Sequence, residues 1–475
     1  MMMNELNWRF FGLMTSMTVM TLIILLFVIT GCDSTVERRL SPEEVTGTAA
    51  NRPTATLKQS ASEERHLVSD SGEMVLRWRS DPYNQAEMDL YQSINDMLEQ
   101  EMAGVRLLYE PADKRHYGYH DLLKREIAIS EGPDVFWLAD ADLANFAMRG
   151  MILDLRPLAD ADPTYSNSDF HPGAMSQLTY NPRTGQSGEV LWGLPRDVST
   201  NVLYINVDLI RQAGAPDPRV LAAEGKWNWD TFLQVASAIN EQGEEIQGYG
   251  ESTSWDAYGY WMYASGGSFY NEDGTGCGLD SQQALAGLGF QRTLYESGMA
   301  LPYGQNPAGP FLAGKLGMFL ESRGATNALR SSNLPFTWDV VKVPDGPAGA
   351  TSWVFWSGYV VNLNTKHPKA AYKLLRALTR PDVQLMISDV DAKIPSRTNQ
   401  EVIDTFLTFT PPYNNQAYIQ ALSENPQTPL PLWNGNWRQY VNVMNIAMSG
   451  VLTGQQPIQE HAAGICNQVT QLFYQ

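Results

Sequence analysis

Between residues 74 and 138 the chain alternates two apolar rhythms, and no other feature narrows the fold as far. Residues 74–78 (MVLRW) form a short strand-like run. Residues 87–100 then repeat Met88, Tyr91, Ile94 and Leu98 on one helical face. A second strand follows at 105–109, a second helix at 119–129, and a third strand at 135–138 (VFWL), entered through Gly132-Pro133-Asp134. Strand, helix, strand, helix, strand is the signature of βαβ units. It predicts an α/β fold with a mainly parallel sheet and ligand sites at the carboxyl ends of its strands. Those ends read Ser80-Asp81-Pro82-Tyr83 after the first strand and Ala139-Asp140-Ala141-Asp142 after the third.

Further along, Asn228 is placed to cap a helix over 229–240 whose inward face is Phe232, Val235, Ala236 and Ile239. Ser281 caps 282–296, and Gly298 ends it. A strand is expected at 354–363, then a helix with Ala370, Ala371, Leu374 and Leu378 on one side, and an amphipathic segment at 437–448. A chain of 475 residues is too long for one ordinary core, so two packed units are expected.

The front end reads as an address. Arg9 precedes an apolar run over 10–29 that is long enough to span a bilayer, and a permanent anchor is the plain reading. The next residues sharpen it: Ile29-Thr30-Gly31-Cys32 resembles a bacterial lipobox, which implies cleavage after Gly31 and a lipidated Cys32. Either way the rest of the chain lies outside the cytoplasmic membrane and stays tied to it. Residues 33–72 mix Ser, Thr, Glu, Arg and Ala without apolar period and read as a flexible tether. The formal charge of -19 opposes binding to nucleic acid or to anionic lipid headgroups. Three cysteines exclude a disulfide framework and leave a single Cys277–Cys466 bridge open.

The six histidines are scattered and no CxxC or HExxH occurs, so neither a metal site nor a cofactor is expected. Asn271-Glu272-Asp273-Gly274-Thr275-Gly276 lacks the spacing of a calcium loop and reads as a turn. Asp140 and Asp142 offer the two carboxylates of a glycosidase, but residues two apart in one loop read more simply as a solvated capping pair. The stretch at 191–206, LWGLPRDVSTNVLYIN, gathers Arg196, Asp197, Ser199 and Thr200. With no GxSxG and no histidine near it in sequence, Ser199 is not read as a nucleophile. Aromatics at or near loop edges say more: Trp78, Trp137, Trp255, Trp261, Trp353, Trp356, Tyr359, Trp433 and Trp437. Several stand beside Asp or Ser, as Trp255 does beside Asp256, and neutral sugars need that pairing of an apolar face with fixed polar groups.

In this order, residues 132–137 (GPDVFW), 191–206, 227–232 (WNWDTF), 314–319 (GKLGMF), 365–371 (TKHPKAA) and 394–396 (IPS) resemble the carbohydrate-binding proteins of ABC importers, the family that includes maltose-binding protein. The resemblance implies a type II periplasmic-binding-protein fold, in which two α/β lobes joined by crossing segments close on a sugar. Its lobes would be 73–195 with 357–425, and 196–356 with 426–475, after a signal peptide at 1–31 and a tether at 32–72. Its ligand residues would be Asp81, Trp137 and Asp140 from strand ends, Ser199 in the first crossing, the Trp255–Asp256 pair, Trp356, Tyr359 and the platform Trp437. Arg196 and Asp197 either face the cleft or pair with each other at the hinge. One departure stands out: where many relatives carry Trp after the Met-Phe strand, this chain reads Ser322-Arg323-Gly324, which makes Arg323 the candidate replacement. The implied partners are a small sugar and a permease, and the implied protein is a non-enzymatic monomer, lipid-anchored on the extracytoplasmic face of the bacterial membrane.

Overall fold

The period of the apolar residues is obeyed where it is strongest. In a computed structural model, residues 74–112, 118–424, 426–427 and 437–473 are described, all within the compact unit Ser60–Gln475. The apolar leader, Cys32, the tether and Trp433 lie outside the described residues. In chain order, β1 (Met74–Ser80), β2 (Val105–Pro111) and β3 (Val135–Ala139) alternate with helices α1 (Gln85–Glu101) and α2 (Tyr119–Ala128); a short helix, α3 (Leu143–Met148), follows. A small hairpin, β4 (Tyr180–Asn181) and β5 (Gln186–Ser187), precedes β6 (Gly193–Ser199) and β7 (Asn201–Asn206). Then come β8 (Gln247–Gly250), β9 (Leu316–Ser322), β10 (Trp338–Val341), β11 (Ser352–Trp353), β12 (Phe355–Val361) and β13 (Ile394–Pro395).

These strands build two large sheets. One has six strands in the order β13-β6-β12-β3-β1-β2, the other four in the order β10-β7-β9-β8. We call the halves around them the first and second lobe. In the first, β1 pairs in parallel with β2 and β3, as the alternation predicts. Parallel pairing is nevertheless less dominant than expected, because β12 returns from the other lobe rather than through a helical crossover and pairs antiparallel with β3 and β6, and β13 pairs antiparallel with β6 as well. In the second lobe β8 and β9 are parallel, while β7 is antiparallel to both its neighbours.

Helix ends follow local chemistry. The Asn228 side chain accepts the Thr231 N–H at 3.1 Å while the Thr231 hydroxyl accepts the Asn228 N–H at 3.1 Å, a reciprocal cap on the helix Trp229–Asn240. Phe232, Val235, Ala236 and Ile239 are its buried face. Ser281 likewise caps Gln282–Glu296. Between this helix, β8 and the helix Trp255–Ala264 lies a buried carboxylate, Glu251, which accepts from Tyr249 (2.7 Å), Trp261 (2.9 Å), Gln291 (2.6 Å) and Tyr295 (2.7 Å). Burial raises its pKa against the pull of those four donors.

The bridge left open by the sequence is formed. Cys277 and Cys466, 189 residues apart, are joined with their Cα atoms 5.2 Å from each other. This ties the helix Ile458–Val469 to the second lobe, and Tyr440 adds a hydrogen bond to the Phe269 carbonyl at 2.6 Å. The preceding helix, Trp437–Leu452, is thereby held in place.

The first crossing between lobes falls later than expected. β6 stays in the first-lobe sheet through Ser199, paired with Phe355, and β7 enters the second at Asn201, paired with Ser322. The boundary is therefore Thr200, not 195/196, because Arg196, Asp197 and Val198 complete the ladder with β12 and β13. The return crossing is Val354, between β11 and β12.

Candidate functional site

Tyr260, buried on the helix Trp255–Ala264, lies against both crossing segments. Its hydroxyl accepts the N–H of Asn201 at 3.3 Å and of Trp353 at 3.2 Å, and it lies 3.2 Å from the Asn201 carbonyl. One side chain thus fixes the outgoing and returning chains beside each other. Asn201 also donates to Asp256 at 2.7 Å, and Ser254 donates to the other carboxylate oxygen of Asp256. Glu321 pairs across the ladder with Val202, so it stands next to this pair. Burial raises its pKa, and the nearby Asp256 adds to the shift.

Aromatic rings surround the crossing on the second-lobe side. The half-buried Trp255 meets Trp437 edge-on at 5.2 Å, and Trp353 and Phe355 each at 5.8 Å. Edge-to-face packing of this kind holds ring planes in fixed orientations. On the first-lobe side Trp137, at the end of β3, stacks on His120 at 5.3 Å and leans on Tyr119 at 5.7 Å. Its indole N–H is buried without an acceptor among the described residues.

Asp140 follows Trp137 at the carboxyl end of β3. Its oxygens accept the N–H of Ala141 at 2.6 Å and, more weakly, of Trp356 at 3.4 Å. Burial outweighs these bonds and pushes its pKa up to about 7. Two residues on, Asp142 binds His120 at 3.0 Å and Arg438 at 2.9 Å. Burial pushes the His120 imidazole down to about 4, so it is neutral at pH 7. Its Nε2 accepts the Ala139 N–H, which leaves Nδ1–H to donate to Asp142. Because Arg438 belongs to the helix Trp437–Leu452 and Asp142 to the first lobe, their ion pair spans the lobes. Beside it opens a polar cavity of about 640 Å³ lined by His120, Lys124, Asn145, Arg149, Trp437 and Asn442, among others. That size lies within the usual range of small-molecule sites. The arrangement offers stacking faces, fixed acceptors and a charged rim.

The family model described as bacterial extracellular solute-binding protein matches residues 118–385, more than half of the chain. The chain belongs to this family. The solute-binding protein is 23% identical over 399 residues to a putative binding protein of Brucella abortus (strain 2308), covering 82% of its own length and 90% of the relative's. Among solved structures it is similar to an ABC substrate-binding protein of Listeria monocytogenes in complex with cycloalternan (18% identity, TM-score 0.71, 84% of this chain and 98% of that one). It is similar as well to UgpB from Mycobacterium tuberculosis in complex with glycerophosphocholine (16%, TM-score 0.69, 84% and 98%). The fold is that of the type II periplasmic binding proteins, and members of the family bind substrates rather than convert them.

Of the residues expected to touch ligand in this solute-binding protein, Trp137 and Asp140 gather at one edge of the crossing, and Ser199, Trp255, Asp256 and Trp437 around it. Asp81 is exposed at the end of β1. Four others are placed elsewhere. Tyr359 is fully buried in the first-lobe sheet against Trp78, well inside the ladder. Trp356 is buried with its N–H bound to Gln177 at 2.8 Å. Arg196 and Asp197 are buried and pair with each other at 2.5 Å, with Tyr91 and Asp391 beside Arg196 and the Ser357 hydroxyl on Asp197. Their pairing is the second of the two alternatives the sequence left open. Arg323 is a fifth correction: it is 0% exposed, so it replaces no platform. Its chain direction after β9 carries it into the buried seam between the lobes, under Phe406 and Tyr418.

Sequence reasoning missed Tyr260, Glu321, His120, Asp142 as an inter-lobe partner, and Arg438. Tyr260 had a local signal, since it follows Trp255-Asp256 on one helix. Arg438 directly follows Trp437, but its partner is nearly 300 positions away and no spacing reveals it.

Proposed function

We propose that this protein is a membrane-tethered extracytoplasmic receptor that captures a sugar or small oligosaccharide between its lobes and delivers it to an ABC-type permease without chemical change. The observation that carries this reading is the juxtaposition, around the Ser199–Asn201 crossing, of aromatic faces (Trp255, Trp437) with polar groups: Ser199, and Asp256 held by Asn201 and Ser254. Sugar rings are held by such pairing, and a hinge between two lobes lets the site close over them. The lipobox-like Ile29–Cys32 supports the tether. As a transporter component the protein needs no nucleophile. Asp140 has no second catalytic carboxylate placed opposite it among the described contacts, and Asp197 is tied up by Arg196 and Ser357.

Another solute class is the second reading, favoured by one observation. Asp140, Asp256 and Glu321 border the crossing with no ion pair to a cation among the described residues, a setting suited to a positively charged group. Intrinsic tryptophan fluorescence across neutral oligosaccharides, uronates, polyamines and glycerophosphocholine separates the two. A neutral oligosaccharide should change the emission, and the triple variant Trp137→Ala, Trp255→Ala, Trp437→Ala should abolish that change. A response confined to polyamines or glycerophosphocholine would move the assignment to the second reading.

A further inference from the structure

Arg323 leaves β9 of the second lobe and ends buried where the two lobes meet. Its guanidinium lies over the Phe406 ring at 4.6 Å and near Tyr418 at 5.8 Å. One nitrogen donates to the carbonyls of Ser388 (3.2 Å) and Lys393 (2.9 Å), on the helix Pro381–Val390 and the turn into β13. Both acceptors belong to the first lobe, where β13 pairs with β6 and Gln384 binds the Pro195 carbonyl at 3.0 Å. No carboxylate bonds it among the described residues, and its Nε and second terminal nitrogen are buried without an acceptor. A fully buried cation with unmatched donors is rare, since such groups are normally paired.

Arg330, seven residues further on, repeats the pattern. It donates to the carbonyls of Pro411 (2.7 Å), Phe409 (2.5 Å) and Asp389 (3.3 Å), again across to the segment that leaves the first lobe. Two second-lobe arginines thus grip this connection through neutral backbone oxygens alone. Phe406, which carries Arg323, also lines an apolar cavity of about 310 Å³ with Val198, Ile394, Ile419 and Leu422. Protein interiors are ordinarily close-packed. The void lies beside the helices Gln400–Leu407 and Gln416–Ser423, and the segment that joins them is held by the arginine grip together with hydrogen bonds of Asn414 and Asn415.

We propose that Arg323, assisted by Arg330, is the positioning residue of lobe closure. It holds the present lobe arrangement through the Ser388 and Lys393 carbonyls, and its two unmatched donors take up further carbonyls when the lobes rotate. The balance between open and closed forms, and through it the affinity for solute, is then set at a buried cation that the solute never touches. The proposal rests on the closure reading given above.

Double electron–electron resonance on the full chain tests it, with spin labels at Ile129→Cys on the first lobe and Val220→Cys on the second. Both positions are exposed, at 66% and 53%. Without added solute, Arg323→Met should change the ratio of the inter-lobe distances by roughly fivefold or more, and Arg323→Lys by less. Should Arg323→Met not fold, Arg330→Lys takes its place with the same direction expected. An unchanged distribution in a folded Arg323→Met, or in Arg330→Lys if that variant has to stand in, overturns the proposal. Titrating the unsubstituted, labelled protein with maltotetraose and separately with glycerophosphocholine keeps the two readings apart. Lobes that move with solute but not with Arg323 sink this inference alone, whereas lobes that move with neither sink the closure reading beneath it.

Discussion

Asp140 shows how burial decides what a residue does. In an unfolded chain its carboxyl titrates near 3.8, and in the fold burial holds it near 7. Between those values the folded protein keeps a proton that the unfolded chain releases, so the stability it contributes is intact below about pH 4 and lost as pH rises to 7. Part of the carboxyl surface still reaches water, which reduces the effect below that of a fully enclosed group. Asp140→Asn removes the titration. Measured by urea unfolding, the variant should gain about 1–2 kcal/mol on the wild type between pH 5 and pH 8. A difference that does not change with pH would mean that the carboxyl is solvated like any surface aspartate. The sequence makes this side chain a strand-end candidate, and it does follow β3 directly. Its raised pKa was not legible, because the burial comes from β12, more than 200 positions away.

At the scale of elements, the legible parts are those whose cause is local. The Asn228 and Ser281 caps and the helix Trp229–Asn240 follow from residues within four positions of one another, and the structure repeats them. What sequence left unresolved depends on distant partners: the antiparallel entry of β12, the cage of Phe406 and Tyr418 around Arg323, and the contact of Trp255 with Trp437. The last of these depends on the Cys277–Cys466 bridge, which pins the two C-terminal helices to the second lobe. Replacing both cysteines by serine should lower stability by about 2–4 kcal/mol in denaturant unfolding. Because Trp437 sits on the tethered hairpin, the near-ultraviolet aromatic signal should weaken too. Stability and aromatic signal that both survive the double substitution would show that packing alone holds the helices.

For the whole molecule, two mixed sheets joined by two crossings and a helical connection form two lobes that meet along one seam. Three contacts described above sit along it: Tyr260 on the crossings, the Asp142–Arg438 pair at the rim, the arginine grip at the back. A family of solute receptors was readable from the ordered motifs, since they mark the turns and crossings of such a body, while the solute itself was not, since it is set by rings and carboxylates that meet only in the fold. Native mass spectrometry of the full chain purified from its own host tests the central claim most directly. The account predicts a bound species whose mass is a whole number of hexose units, lost from the triple tryptophan variant. A bound polyamine or phosphodiester, or a hexose species that the variant retains, would contradict it.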